Sequence, residues 1–393
     1  MPKHDTHDRQ ENNRIFIFFR SMGFRPKIEY SRILHSKQLL YIDASRYGNT
    51  TQKTGVENYS YHLIRTLAQL APSEIILIAP GKVDLDVPQI TIPFPRLWTQ
   101  VRLSWEVWQN KAIDNLFVPS HLMPLIHPKR TTITIHDVAF KRFPQSYGLL
   151  SRWYLDWGTK FAVKNAWKII VPSETTKKDL IEFYQADPSK IVVIPLGFES
   201  ESKPLHPEQS AQVLDRFGLK AKHYFLFLGR IESKKNIQTL IEAFSALSPR
   251  CPGIQLALAG KLGVGGESIL KLVKNPDIVV TGYVDEVAKQ ALLENALCFV
   301  FPSLFEGFGI PLLEAMAANL PILASKIPSS WEVAKDNALF FEAEDDEVLA
   351  GLMEKVATQE PFRAVMVQNH AKTLERFSWK RCAEETLRVL KTN

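Results

Sequence analysis

Residues Phe305–Ser325 read FEGFGIPLLEAMAANLPILAS. An apolar run, Cys298–Phe301, leads into this stretch and ends at Pro302. Two glycines follow, Gly307 and Gly309, then a helical pattern over Ile310–Ala318 and a second apolar run over Pro321–Ala324. Strand, glycine turn, helix and strand make the repeating unit of a parallel sheet, whose neighbouring strands need a crossover between them. The glycines let the backbone approach a ligand closely. Pro311 suits the first helical turn, where its missing N–H has no partner to lose. The N–H groups of Phe308, Gly309 and Ile310 are therefore expected to be free and to face a cleft, as an anion site matched to phosphate. Glu306 precedes the turn and Glu314 lies one helical turn inside it, so one carboxylate can accept from a sugar hydroxyl and the other from a ribose. For Glu314, simple complementarity to the helix dipole is the alternative.

Working outward, the same alternation continues in both directions. Strands are predicted at Tyr224–Leu228, Gln255–Ala259 and Ile278–Thr281, with helices at Lys235–Leu247, Asp285–Glu294 and Asp345–Thr358. Upstream, Gln38–Asp43, Glu74–Ala79, Leu116–Pro119, Thr131–Ile135, Trp167–Val171 and Ile191–Pro195 read as strands. Helices are expected over Glu57–Leu70 and from the cap Ser173 to about Tyr184. Continuous apolar strands imply sheets buried on both faces. Between the two series, residues 200–222 are polar, with Pro204 and Pro207, and read as a linker with one short helix. The expected fold class is α/β, with two doubly wound Rossmann-like domains, residues 38–199 and 223–375, and an interdomain cleft. Residues 1–37 form an extension, and 376–393 a C-terminal helix that packs back on the first domain. Ligands in such sheets sit beyond the carboxyl ends of the strands, so the cleft is the expected active site.

Composition narrows the function classes. The chain has 393 residues, 45% of them apolar and 23% charged, which suits a soluble globular protein of two or three domains. Three scattered cysteines, Cys251, Cys298 and Cys382, form neither a disulfide framework nor a metal-ligand spacing. The net charge is +6, and residues 1–40 hold eight basic against four acidic residues. Two thirds of the excess thus lies in the leader, so no general basic field for nucleic acid exists. The leader mixes Phe16, Phe18, Phe19 and Phe24 with Arg14, Arg20 and Arg25. That composition suits a membrane surface, the alternative being a plain extension. Leu150–Lys168, with Trp153, Tyr154, Trp157, Phe161 and Trp167 among basic residues, reads either as a core-facing helix or as an interfacial one.

Three further pieces point at the cleft. Gly229 and Arg230 end a strand, with Lys234, Lys235 and Asn236 just beyond; two cations there suit a diphosphate. Gly55 opens a helix after the first strand, placed like the glycine of a phosphate turn. His136 and Asp137 end a strand of the first domain. Two other motifs carry less. Asp84-Leu85-Asp86 has the look of a metal-binding pair but sits in a polar loop, and Gly263-Val264-Gly265-Gly266 lacks the last spaced glycine of a dinucleotide fingerprint. That gap speaks against a dehydrogenase.

FEGFGIPLLEA, with its two glutamates, resembles the signature of retaining glycosyltransferases of family 4. GRIESKKNIQTLIEAF, VVTGYVDEVAKQALLENALCFVFPS, VPSETTKKDLIEFY, IVVIPLG and TITIHDVAF resemble further segments of that family in order and spacing, over roughly residues 38–390. The resemblance implies the GT-B fold, with an acceptor-binding first domain, a nucleotide-sugar-binding second domain and no metal or other cofactor. It implies that Arg230 and Lys235 bind the donor diphosphate, next to Gly229. Glu314 would hold the ribose, Glu306 and the Phe308–Ile310 backbone would meet the sugar, and the backbone at Tyr283 and Val284 the base. Gly55 would lie near the β-phosphate, and His136 near the sugar C6 or the reacting centre. Leu196 stands where the family usually has asparagine, and Ser330-Trp331-Glu332 replaces its Leu-Pro-Glu. The expected activity is hexosyl transfer from a nucleotide sugar to a glycan or lipid-linked acceptor, for a surface polysaccharide or lipopolysaccharide. GDP-mannose is the expected donor, with UDP-glucose, UDP-galactose and dTDP-rhamnose as alternatives, in the cytoplasm at the inner face of the plasma membrane. A catalytically silent nucleotide-sugar binder is the rival that this fold allows.

Overall fold

The structure, a computed structural model, describes residues 39–48, 55–94, 98–199 and 204–392. The readings of the leader and of most of the Gly48–Gly55 loop lie outside the described residues. Seven strands form the first sheet: β1 (Leu40–Asp43), β2 (Ile75–Ala79), β3 (Gln89–Thr91), β4 (Asn115–Val118), β5 (Arg130–Thr134), β6 (Lys168–Val171) and β7 (Ile191–Val193). They run in the order β3-β2-β1-β4-β5-β6-β7, and every pairing is parallel. Six strands form the second: β8 (Tyr224–Leu228), β9 (Gln255–Ala259), β10 (Ile278–Gly282), β11 (Cys298–Phe301), β12 (Ile322–Ser325) and β13 (Leu339–Phe341). Their order is β10-β9-β8-β11-β12-β13, again parallel throughout.

The expected architecture is therefore present, for the expected reason. β1, β2, β4 and β11 are buried along their whole length, which only a sheet covered on both faces requires. In each sheet the strand order reverses once, between β1 and β4 and between β8 and β11. Crossover helices then leave the two neighbouring strands on opposite faces, and a crevice opens at their carboxyl ends. The quoted stretch leaves β11 at that point, and Gly229 and Arg230 leave β8 beside it.

Some elements differ from the sequence reading. β3 and the helical stretch Trp98–Gln109 were not anticipated, because a three-residue edge strand and a turn rich in tryptophan carry no period. Lys235 does not begin the next helix. It closes a short 3₁₀ turn, Ser233–Lys235, and Asn236 follows in the left-handed region with φ 53° before the helix Ile237–Leu247. The helix Leu149–Asn165 buries its small residues, Gly158, Thr159, Ala162 and Val163. Leu155 and Phe161 pack against the core, but three large apolar residues point outward: Leu149 is 76% exposed, Leu150 86% and Trp153 67%. The core-facing reading of this helix is thus overturned for those residues. Among the described residues, no helix is long and apolar enough to cross a membrane.

The chain crosses between lobes twice, and the crossings touch. The Phe198 amide donates to the Phe377 carbonyl at 2.9 Å. The helix Pro207–Phe217 packs against Glu286–Asn295 and so belongs to the second lobe. The final helix, Trp379–Lys391, returns to the first lobe and lies against Gly55–Leu70. There the Trp379 ring stacks on His62 with centroids 4.9 Å apart, and Asn115 Nδ2 donates to the Leu390 carbonyl at 3.0 Å. One apolar cluster, including Leu63, Trp379, Phe377 and Phe308, continues from one lobe into the other. All three cysteines are buried and unpaired.

Candidate active site

The second lobe builds its side of the cleft from strand ends. β8, β9 and β10 end at Gly229, Gly260 and Gly282, and the Gly260 amide donates to the Gly282 carbonyl at 2.8 Å. Gly260 has φ 148°, and a Cβ there would come within 1.8 Å of the Gly229 carbonyl oxygen, so only glycine lets these strand ends meet. Arg230 emerges exposed from this floor. Tyr283 stands half exposed over the β10 end with the Lys261 ammonium 4.4 Å from its ring centroid, and Val284 packs against the core.

Beyond β11, Lys235 Nζ pairs with Glu306 Oε1. The pair is nearly enclosed, with side chains 14% and 15% exposed. The Ser303 hydroxyl donates to the same oxygen at 2.8 Å. Thus the predicted diphosphate cation and the predicted sugar-binding carboxylate are brought together and hold each other. The turn after Glu306 delivers the chain to the helix Ile310–Ala317, with Gly309 at φ 120° in the cap position. Among the described residues, the N–H groups of Phe308, Gly309 and Ile310 donate to no protein acceptor. The Phe308 side chain turns inward, edge-on to Phe377. Glu314 meets Lys289 Nζ at 2.9 Å, and the same ammonium holds Glu286 at 2.7 Å. Burial pulls the Lys289 pKa down, but Glu314 and Glu286 outweigh it and hold the pKa well above its ordinary value.

The first lobe brings β5 and β6 to the same place. His136 and Asp137 follow β5, and a Cβ on Gly307 would lie 2.4 Å from the His136 carbonyl oxygen and 2.8 Å from Asp137 Cβ. Only a bare α-carbon fits between the lobes there. His136 Nε2 is buried without a hydrogen-bond partner among the described residues. Burial first, then neighbouring His121, lower its pKa from 6.5 to about 3. The ring is therefore neutral. A neutral imidazole has one donor and one acceptor nitrogen, and so can exchange a hydrogen bond with an incoming hydroxyl. Tyr59 stands edge-on to the ring at 4.7 Å, and His121 Nε2 donates to the Asp137 carbonyl at 2.5 Å.

Gly55 opens its helix as expected, and a Cβ there would meet nothing within 4 Å. Packing among the described residues does not demand glycine at that position. Four further groups shape the cleft, of which sequence reasoning named Asp137, Lys234 and Glu332 without finding their contacts and passed over Lys289. Asp137 places a carboxylate of the first lobe at the cleft, though its Oδ1 is occupied by the Ala139 amide at 2.9 Å. Lys234 lies 3.4 Å from Glu232. Burial lowers its pKa, but Asp137 and Tyr147 of the first lobe, with Glu232 and Glu306, reverse the shift and raise it. Lys289 and Glu332 are the other two, and both act through contacts distant in sequence. Asp84 and Asp86 lie on the loop joining β2 to β3.

Known proteins resemble the chain in sequence and in fold. Residues 215–373 match the family described as Glycosyl transferases group 1, and residues 53–202 match Glycosyltransferase Family 4. The chain is 25% identical over 374 residues to the O-antigen chain mannosyltransferase B of Escherichia coli, covering 86% of this chain and 96% of that one. It is 30% identical over 329 residues to the serotype-specific mannosyltransferase WbdA of Escherichia coli, covering 81% of this chain but 36% of that protein. The crystal structure of HepE from Anabaena, in complex with UDP and glucose, superposes with a TM-score of 0.66 at 15% identity, covering 91% of this chain and all of that one.

Proposed function

This chain belongs to glycosyltransferase family 4 and has the GT-B fold, and we propose that it moves a mannosyl residue from GDP-mannose to a glycan or lipid-linked acceptor during surface polysaccharide biosynthesis, with retention of configuration. The observation that carries this reading is the Lys235–Glu306 pair beside the Gly307 turn, under the free amides of Phe308–Ile310 and facing His136. The mannosyltransferase relatives support the choice of sugar.

The chemistry follows from charge. Breaking the bond between the anomeric carbon and the diphosphate oxygen leaves positive charge on the sugar and negative charge on the leaving group. Arg230, Lys235 and the helix amides stabilise the latter, and preorganised donors of this kind each contribute about 10²–10³ in rate. A double displacement needs two carboxylates close about the anomeric carbon. Glu306 is engaged by Lys235 and Ser303, and Asp137 caps its own chain. The acceptor oxygen therefore attacks on the face the diphosphate leaves, and its proton passes to the departing phosphate oxygen. The neutral His136 ring meets a hydroxyl of the donor sugar through its unpartnered Nε2, Glu314 holds the ribose, and the strand ends at Tyr283 and Val284 receive the base. The outward ridge Leu149, Leu150 and Trp153, with Lys160 and Lys164 on the same helix, supports contact with an anionic membrane surface that carries the acceptor.

The test is a donor screen with GDP-mannose, UDP-glucose, UDP-galactose and dTDP-rhamnose, reading released nucleotide and the anomeric configuration of the product. Release of GDP with an α-linked product is expected. Turnover of a uridine or thymidine donor alone would replace the donor assignment, and an inverted product would remove the same-face mechanism.

A further inference from the structure

The helix Glu174–Tyr184 of the first lobe begins at the lobe boundary, and its start is tied to the second lobe twice. Ser173 caps its own helix by accepting from the Thr176 amide at 3.1 Å, while its hydroxyl donates across the cleft to the Gly307 carbonyl at 2.6 Å. Glu332, from the helix Pro328–Ala334 of the second lobe, takes the next two amides. Its Oε2 accepts from the Glu174 N–H at 2.8 Å, and its Oε1 from the Thr175 N–H at 3.0 Å and the Thr175 hydroxyl at 2.8 Å. The first amides of a helix have no partner inside it, and a carboxylate there gains from both the hydrogen bonds and the dipole. Here the carboxylate comes from the opposite lobe, so the gain exists only in the closed arrangement. The same arrangement presses Gly307 against the backbone of His136, and Gly307 directly follows Glu306.

We propose that Glu332 is a positioning residue, fastening the second lobe to the start of the Glu174–Tyr184 helix in the register that brings Glu306 and His136 to one reacting centre. Only the reacting centre is taken from the function proposed above; the clasp rests on the hydrogen bonds themselves. A carboxylate is required. Glutamine would keep one acceptor for Thr175 but turn an NH₂ group toward the Glu174 N–H, donor against donor.

The test uses the full chain with Glu332→Ala, Glu332→Gln and Thr175→Val, and three measurements. Amide hydrogen exchange at Glu174 and Thr175 should rise in both Glu332 variants, and small-angle scattering should give a larger radius of gyration. Turnover should fall about tenfold to a hundredfold, the range expected when reacting groups are misplaced by about an ångström. The affinities for GDP and UDP alone and the melting temperature should hold, because Arg230, Lys235, Glu314 and the strand ends at Tyr283 and Val284 all lie in the second lobe. Thr175→Val added to Glu332→Ala should cost little more than Glu332→Ala, since both remove one interaction. Unchanged exchange and unchanged scattering in Glu332→Ala would overturn the clasp, as would open lobes with undiminished turnover. A wild-type chain that turns over no donor would count against the transferase reading, and exchange and scattering would still decide the clasp.

Discussion

Lys235 and Glu306 are joined by an ion pair through Nζ and Oε1, so the cation proposed for a diphosphate and the carboxylate proposed for a sugar share one nearly enclosed site. Each stabilises the charge of the other until a substrate divides them. The pair links the turn after β8 to the turn after β11, which is where the order of the second sheet reverses.

Removing Lys235 alone strands an anion where the leaving diphosphate must sit. Lys235→Ala should lower turnover by about 10²–10³ with little change in melting temperature, and Lys235→Ala/Glu306→Gln should recover part of the nucleotide affinity lost in the single variant. Steady-state rates and calorimetry with GDP read both. Because Arg230 and Lys235 supply the countercharge in this scheme, EDTA should leave turnover unchanged; strict dependence on Mg²⁺ or Mn²⁺ would defeat that assignment.

Lys289 orients Glu314 at 2.9 Å. Lys289→Met should raise the donor KM by about tenfold, the equivalent of one hydrogen bond to a charged group, while leaving the rate at saturating donor within a few fold. An unaltered KM would mean that Glu314 needs no such support.

Gly307→Ala should be a catalytic rather than a folding variant. Its Cβ would lie 2.4 Å from the His136 carbonyl oxygen, in the other lobe. The lobes would then close short of their register, with a loss of about a hundredfold in turnover and a melting curve near that of the wild type.

The lowered pKa of His136, about 3 against 6.5, makes stability depend on pH. The unfolded chain binds the proton more tightly, so the stabilising contribution is complete above 6.5 and is lost progressively as the pH falls toward 3. Between pH 7 and pH 5 the loss should be about 2 kcal/mol. Urea midpoints at the two pH values should differ by less in His136→Phe than in the wild type.

The exposed ridge predicts a surface property. Leu149→Ser/Trp153→Ser should reduce sedimentation with vesicles rich in anionic lipid by about tenfold, without lowering turnover of a soluble acceptor. Equal sedimentation would leave the ridge without a role in membrane contact.

How much of this was legible beforehand depends on how local the signal is. The strands were, because β2 and β11 are unbroken apolar runs and β1 and β4 each carry three apolar residues in a row. So was the cap at Ser173, a serine followed by helix-forming residues and accepting from Thr176. The glycines around Glu306 marked the turn. What no local pattern could show was pairing across the fold. Glu332 lies 158 positions from Glu174, and Lys289 lies 25 from Glu314. A lysine in a helix reads as a solvated charge until the partner helix is in place. The direction of the Leu149–Asn165 helix was likewise undecidable, since small and large apolar residues alternate around it and only packing chose the small side to bury.

The return of Trp379–Lys391 to the first lobe sets the order of events during synthesis. Leu390 accepts from Asn115, 275 positions earlier in the chain, and Trp379 covers His62, so both are made long after the lobe they cover. The half of the molecule translated first must wait, with an apolar flank uncovered, until this helix has emerged, and nascent chains in that condition are prone to associate. A stop codon ahead of Trp379 would damage the half made first.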